Sequence, residues 1–293
     1  MDIVTGQKIQ FLCDIFIGMH GDLVYNPLIA PQTQKHIDIL NPDITKLQNK
    51  TINNVFCYTH NIDEKIFNRT GLNEMIHPKI IFILKQIPSD FNIIFHNSDG
   101  SFSDEHLFFL DIPNVKKIFT QNINTQPTDR IIPIPIGIAN SMWKHGNLGI
   151  WKKVMDSVDI DNKTNHIFFN FSINTNSEKR LKCYNSILSK NIPNLPNTDY
   201  EQYLRNLVTY KFAICPDGNG TDTHRLWECL YLRVIPICTK SYLTEHYSNI
   251  FPILLINNWD DINDDILSKF SNTATWSNYE KLSFNNLKNQ IIN

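Results

Sequence analysis

The sequence predicts an α/β fold with parallel sheets, divided into two domains. Three observations carry this. Residues 210–238 (YKFAICPDGNGTDTHRLWECLYLRVIPIC) read as a short apolar strand, a glycine-bearing loop, a helix and a second strand. Two apolar runs of strand length flanking a helix, joined by short loops, describe one parallel βαβ crossover. Residues 166–188 repeat the strand, loop and helix order, and apolar strand-length runs punctuate the amino-terminal half as well. The composition agrees: 293 residues, 42% apolar and 19% charged, suit one large or two compact globular domains.

In chain order, candidate strands of the first half are Ile9–Ile17, Asn54–Tyr58, Asn92–His96, Lys117–Thr120 and Ile131–Ile136. The third ends in His96, Asn97, Ser98 and Asp99, placing polar groups immediately after an apolar run, where a parallel sheet meets its ligands. Asp99 reads as a general base, with His96 as the alternative, or as a turn residue capping the next segment. Prolines in Ile131–Ile136 mark it as an edge strand or an extended wall. His145, in the tail that follows, reads as a surface or packing histidine. Residues 151–165 pass from a helical pattern into a polar run without apolar periodicity, which places the linker near residue 160 and the domains at 1–160 and 161–293.

The second domain opens with a strand at Ile167–Phe171, a polar loop at Ser172–Asn176, and a helix through Leu181, Tyr184, Ile187 and Leu188. Next come the strand Phe212–Cys215, the loop Asp217–Thr223, the helix His224–Leu232 and the strand Val234–Cys238. A strand at Ile253–Ile256 then leads into Asp260, Asp261, Asn263, Asp264 and Asp265. That acidic run lacks the glycine and terminal glutamate of a calcium loop and reads as the start of a helix.

Chemistry concentrates between 215 and 228. Gly218 and Gly220 let the loop turn tightly and bring backbone amides to an anion, and the following helix adds its positive dipole end. On the helix, His224, Glu228 and Arg225 fall at about 0°, 40° and 100°, opposite an apolar arc of Leu226, Trp227 and Leu230. Arg225 opposes the dipole in the first turn, a placement that makes sense beside an anionic ligand. A glutamate one turn further in suits a ribose diol. The same three residues also read as a plain solvated face.

Cys215, Pro216, Gly218, Gly220, Asp222, Thr223, His224, Arg225, Trp227, Glu228 and Ile235–Ile237 together resemble the nucleotide-sugar-binding signature of exostosin-like glycosyltransferases. A similar strand, loop and glutamate-bearing helix occurs in α1,3-fucosyltransferases. The resemblance implies a GT-B-like fold, two Rossmann-like domains with a cleft between them, and inverting, metal-independent transfer of a sugar from a nucleotide-sugar donor to a hydroxyl of a glycan, protein or small molecule. No cofactor is implied beyond the donor itself. By the same resemblance Arg180, with Lys179 as the backup, and Arg225 bind the donor diphosphate with the amides around Gly218, Gly220 and Thr223. His224 supports phosphate or sugar, and Glu228 holds the ribose. Arg233 departs from the pattern, which has glycine there, so a local adjustment at the helix end is expected. The alternative is a nucleotide-sugar-binding module without catalysis. A metal-dependent transferase using Asp159-Ile160-Asp161 is a further competitor, but this D-x-D follows a helical stretch and reads as solvated linker.

Net charge of −2, with no basic block, argues against a nucleic-acid partner. No run is long and apolar enough to span a bilayer, and the amino terminus lacks a basic leader, so a cytoplasmic protein is expected. The six cysteines follow no metal spacing and read as buried free thiols. Asparagine supplies about one residue in eight, so the glycosylation sequons at Asn49 and Asn170 read as chance, Asn170 falling in an expected buried strand.

Overall fold

A computed structural model describes residues 2–24, 31–48, 50–67 and 73–293; the sequon at Asn49 lies outside them. Parallel pairing builds both main sheets. The first contains six strands, β1 (Ile15–Gly18), β2 (His36–Asp38), β3 (Asn54–Tyr58), β4 (Phe91–His96), β5 (Val115–Thr120) and β6 (Ile131–Pro133), in the order β6-β5-β4-β3-β1-β2. Every pair in it is parallel. The second has four parallel strands in sequence order, β7 (Asn165–Phe168), β8 (Tyr210–Ile214), β9 (Ile235–Thr239) and β10 (Leu254–Ile256). This is the α/β class that the alternating runs predict, and two parallel sheets are compatible with a Rossmann-like fold.

The helices are α1 (Gly6–Phe11), α2 (His20–Val24), α3 (His60–Asp63), α4 (His77–Leu84), α5 (Leu148–Met155), α6 (Ser177–Ser189), α7 (Tyr200–Leu207), α8 (His224–Tyr231), α9 (Tyr242–Ser248), α10 (Asp264–Thr273) and α11 (Phe284–Ile292). No helix among the described residues is long and apolar enough to cross a membrane. All six cysteines are free and buried.

Several boundaries differ from expectation for local reasons. Residues 9–17 are not one strand: Thr5 Oγ1 accepts the Lys8 amide at 3.3 Å and caps α1, so Ile9 packs from a helix and pairing begins only at Ile15. The edge position expected for the proline-bearing segment holds, but β6 stops at Pro133. In α6 the inward residues are Cys183 and Ile187, whereas Leu181 and Leu188 are about half exposed at 48% and 47%. Asn170 lies beyond the end of β7, where its side-chain amide donates to the Leu195 carbonyl at 2.6 Å. The acidic run behaves as expected: Asn263 caps α10, with Asp264 and Asp265 in its first turn.

Contacts divide the chain into two compact units, one of Met1–Ile3 with Gly137–Ser283, the other of Val4–Ile136 with Phe284–Asn293. The division falls after Ile136 instead of near residue 160. The physical reason is α5, whose Trp151 indole donates to Tyr200 of α7 at 2.8 Å and whose Lys153 pairs with Glu201 at 2.8 Å, tying it to the four-stranded unit. In the other unit the last helix, α11, buries Leu287 and Ile291 in the cluster formed by Phe16, Phe56 and Ile94.

Helix α8 ends in a Schellman motif: the Val234 amide donates to Cys229 O at 2.8 Å and the Arg233 amide to Leu230 O at 3.1 Å. Arg233 therefore takes φ 51°, the left-handed conformation a glycine would enter freely. Its guanidinium pairs with Asp161 at 2.8 Å and lies 4.5 Å from the Tyr279 ring centre, contacts a glycine lacks. Arg233→Ala, which keeps the strain and loses the contacts, is expected to lower unfolding stability by about 1 kcal/mol. Arg233→Gly should recover roughly 1 kcal/mol of that by relieving the left-handed backbone. Urea midpoints test this, and equal midpoints for the two variants would refute the strain.

Candidate functional site

In the four-stranded unit, the loops after β7 and β8 rise from the same edge of the sheet, as parallel neighbours require. They are stitched together. Asn176, which caps α6, donates its side-chain amide to Gly218 O at 2.7 Å. Arg180 donates through Nε to Asp217 O at 2.7 Å and through Nη1 to Ser172 O at 2.8 Å, while Lys179 pairs with Asp217 at 2.7 Å. Arg225 Nη1 donates to Asn170 O. The expected pair, Arg180 and Arg225, thus grips the two loops from opposite chain positions.

Aromatic rings support both guanidinia. Arg180 lies 5.6 Å from the centre of Phe171, and Arg225 lies 5.6 Å from Phe168 and 5.3 Å from Tyr203. Neither arginine forms an ion pair with a described carboxylate. Burial first, and then the nearby charge of Arg225, holds Arg180 below the usual arginine pKa. Arg225 goes the other way: burial lowers its pKa, but Tyr203, Cys215 and the Glu228 carboxylate outweigh it and raise it. Arg180, without an ion-pair partner and beside a second guanidinium, is a group whose charge an anion would relieve.

The start of α8 faces the same region. Thr223 takes the N-cap position in extended backbone, but its side chain makes no capping hydrogen bond, and the first turn carries no acidic residue. His224 Nδ1 contacts Gly137 O at 2.8 Å, so one ring nitrogen serves the backbone. Gly218 and Gly220 have no positive φ. A Cβ built on Gly218 would sit 3.5 Å from its nearest atoms, an ordinary contact, so the backbone there does not require glycine.

Two motif residues are held by internal hydrogen bonds. Asp222 is buried and accepts the Trp227 indole at 2.6 Å, which locks the loop onto α8, and Trp227 packs edge-on against Tyr247 at 4.8 Å. Glu228 is only 5% exposed, and phenols from α7 occupy its carboxylate: Tyr200 donates to Oε1 at 2.8 Å and Tyr203 to Oε2 at 2.7 Å. Burial pushes both tyrosine pKa values up, so the phenols remain donors. One proton chain runs from Trp151 through Tyr200 to Glu228. A ribose hydroxyl reaching Glu228 must use its remaining lone pairs or displace a phenol.

A cleft of about 770 Å³ opens beside this network, lined by Lys144, His145, Phe168, Asn170, the segment Leu195–Asp199, Tyr200 and Tyr203. No residue of the loop Asp217–Thr223 lines it. His145, expected as a surface or packing histidine, stands at its wall between Trp143, Tyr200 and His224, with ring centres 6.3, 6.2 and 5.9 Å away. Sequence reasoning passed over α7 entirely. The available signal was the Asp199-Tyr200-x-x-Tyr203 spacing, in which Asp199 caps a helix that presents both phenols on one face.

Neither a protein-family model nor a curated protein sequence matches the chain.

The remaining candidates have surroundings of their own. His96 is fully buried, with Nε2 3.1 Å from Pro135 O and Nδ1 3.2 Å from Asn97 Oδ1, so no acceptor hydroxyl reaches it. Asp99 is an exposed bend residue beyond β4. Asp159 accepts the Asp161 amide at 3.0 Å in an exposed turn, and the Asp161 carboxylate is committed to Arg233. Among the described residues no cluster of His, Cys, Asp or Glu has the makings of a metal site.

The network makes a stability prediction. Tyr203→Phe or Tyr200→Phe removes one donor from a buried carboxylate and should cost about 1–3 kcal/mol. The double variant should deviate from additivity, because both changes act on the same group. Chemical denaturation of the two singles and the double checks this, strict additivity being the contrary result.

Proposed function

We propose that this chain is a glycosyltransferase that moves a sugar from a nucleotide-sugar donor to a hydroxyl acceptor, its two units corresponding to the two Rossmann-like halves of a GT-B-type enzyme. The observation that carries the reading is the pair Arg180 and Arg225, without carboxylate partners, at the carboxyl edge of a parallel sheet beside the uncapped start of α8. A diphosphate is the ligand whose charge suits two guanidinia and a helix amino end together. The adjoining aromatic cleft has walls for a flat base and a sugar.

In this reading the donor diphosphate lies against Arg180, Arg225 and the first turn of α8, which stabilise the charge that develops as the glycosidic bond to phosphate breaks. Glu228, set by Tyr200 and Tyr203, presents a fixed acceptor to the ribose. His224, anchored through Nδ1 to the Gly137 carbonyl, orients toward phosphate or sugar. The motif resemblance supplies the donor class, and the arginine geometry supports it independently.

The test is nucleotide release from a panel of UDP- and GDP-sugars, with and without chelator, for the wild type, Arg180→Ala and Glu228→Gln. Release from one donor that persists in chelator is expected. Arg180→Ala should weaken nucleotide binding by about tenfold to a hundredfold, the loss of one charge-assisted contact. Binding without turnover would identify a nucleotide-sugar-binding module instead, and failure to bind any donor would sink the reading.

A further inference from the structure

Three of the six thiols meet beneath the loop that carries the glycine motif. Cys215 follows β8 directly, Cys229 lies on α8 and Cys238 on β9. The parallel register of Ile214 with Ile237, carried one residue further, sets Cys215 beside Cys238. Side chains alternate along a strand, so both sulfurs point away from the cluster that takes Phe212, Ile214, Ile235 and Ile237. On that opposite face Cys215 Sγ lies 3.7 Å from Cys229 Sγ. All three cysteines belong to the compact unit that holds Arg180 and Arg225.

The backbone fixes both residues of the close pair. The Cys215 amide donates to Ile237 O at 3.0 Å, and Cys229 O accepts the Val234 amide at 2.8 Å and the Leu232 amide at 3.1 Å. A disulfide brings its sulfurs to about 2.0 Å, so side-chain rotation and a slide of α8 against β8 must together close roughly 1.7 Å.

The surroundings single out Cys215 as the nucleophile. Burial raises its pKa, but the thiol hydrogen bonds from Cys229 and Cys238 and the charge of Arg225 outweigh it and hold it well below the usual thiol value. Cys229 and Cys238 are pushed upward, by burial first for Cys229 and by the bond to Cys215 first for Cys238. A thiolate beside a guanidinium and protonated thiols is in the kind of environment where cysteines react. Cys215 is 4% exposed and Cys229 0%, so an oxidant meets Cys215 first.

The pair also adjoins the residues of the candidate site. Cys229 follows Glu228, whose carboxylate Tyr200 and Tyr203 hold at 2.8 and 2.7 Å. Cys215 lies two residues before Asp217, whose carbonyl accepts Arg180 Nε at 2.7 Å. A slide that closes the sulfur gap therefore draws Glu228 from its phenols or the loop from Arg180.

We propose that Cys215 and Cys229 are an oxidation site: a peroxide joins them as a reversible disulfide, and the bond weakens nucleotide binding by the unit that holds Arg225 and Glu228. The bond stands on the thiol geometry, and its effect on nucleotide rests on the transferase reading above. In the first step the Cys215 thiolate attacks one peroxide oxygen, the O–O bond breaks and hydroxide leaves, giving a sulfenic acid. The Cys229 sulfur then attacks the Cys215 sulfur, the S–O bond breaks, and the hydroxyl leaves as water with the Cys229 proton. Each sulfur gives up one electron and each peroxide oxygen gains one. A dithiol reverses the bond by exchange.

Trypsin places the three cysteines in separate peptides, 212–225, 226–233 and 234–240, so mass spectrometry reads the pairing directly. Wild type, Cys229→Ser and Cys238→Ala are treated with hydrogen peroxide, with and without later dithiothreitol, and binding of UDP and GDP to each form is measured by calorimetry. Expected in wild type are a cross-link between 212–225 and 226–233, loss of both thiols to alkylation after unfolding, and their recovery in dithiothreitol. Oxidation should weaken nucleotide binding by about tenfold to a hundredfold, the size of one charge-assisted contact. Cys238→Ala should keep both the cross-link and the loss of affinity. Cys229→Ser should bind nucleotide as reduced wild type does, form no cross-link, and yield a Cys215 sulfenic acid that dimedone traps.

Thiols at Cys215 and Cys229 that survive peroxide in folded wild type, or a link from Cys215 to Cys238 instead, overturn the pair. A Cys215–Cys229 bond that leaves nucleotide affinity equal to or above that of the reduced form overturns the regulatory role and leaves the transferase reading standing. Reduced wild type that binds neither nucleotide overturns that reading and the regulatory role with it, while the peptide map still decides the bond.

Discussion

Parallel strand pairing in both sheets is the constraint from which the rest follows. A parallel neighbour is reached only by a crossover, so every strand delivers its next loop to the same edge. In the four-stranded sheet this brings the loops after β7 and β8 together and lets Asn176 and Arg180 of one reach Gly218 and Asp217 of the other. In the six-stranded sheet it brings Asp22 and His60 together at the point where strand order reverses. Neither assembly would form from antiparallel hairpins, which send alternate loops to opposite ends.

Within the four-stranded unit, charge is handled by two different means. Arg180 and Arg225 rest on rings and backbone carbonyls, which solvate the guanidinium without neutralising it. Glu228 is satisfied by phenols, which are donors without charge. Opposite charges are therefore kept available near one another without being spent on mutual pairing, an arrangement that costs desolvation and that a purely structural core would resolve by direct ion pairs. Lys179 and Asp217, by contrast, pair at the exposed rim and act to position the loop.

Much of the fold was legible because burial leaves a periodic trace. Asn54–Tyr58 was found to the residue, and β4, β5, β8 and β9 to within one or two, since continuous apolar runs are what strands covered on both faces require. Ile9–Ile17 misled because an apolar helix and a strand have the same composition over so short a run, and the deciding interaction was a single cap at Thr5. The unit boundary was misplaced because polarity marks exposed chain, and α5 is exposed on one face while its other face is pinned by Trp151 to α7.

By itself the sequence determined the α/β class, the parallel crossovers and the loop-to-helix stretch that holds Arg225 and Glu228, because these depend on contacts between near neighbours in the chain. Tertiary structure alone decided what those groups touch. Tyr200 and Tyr203 meet Glu228 across 28 and 25 residues, Arg225 meets Asn170 across 55, and His60 meets Asp22 across 38. No local pattern encodes such partners: they are set by strand order and crossover length, which the apolar runs of one sequence leave open.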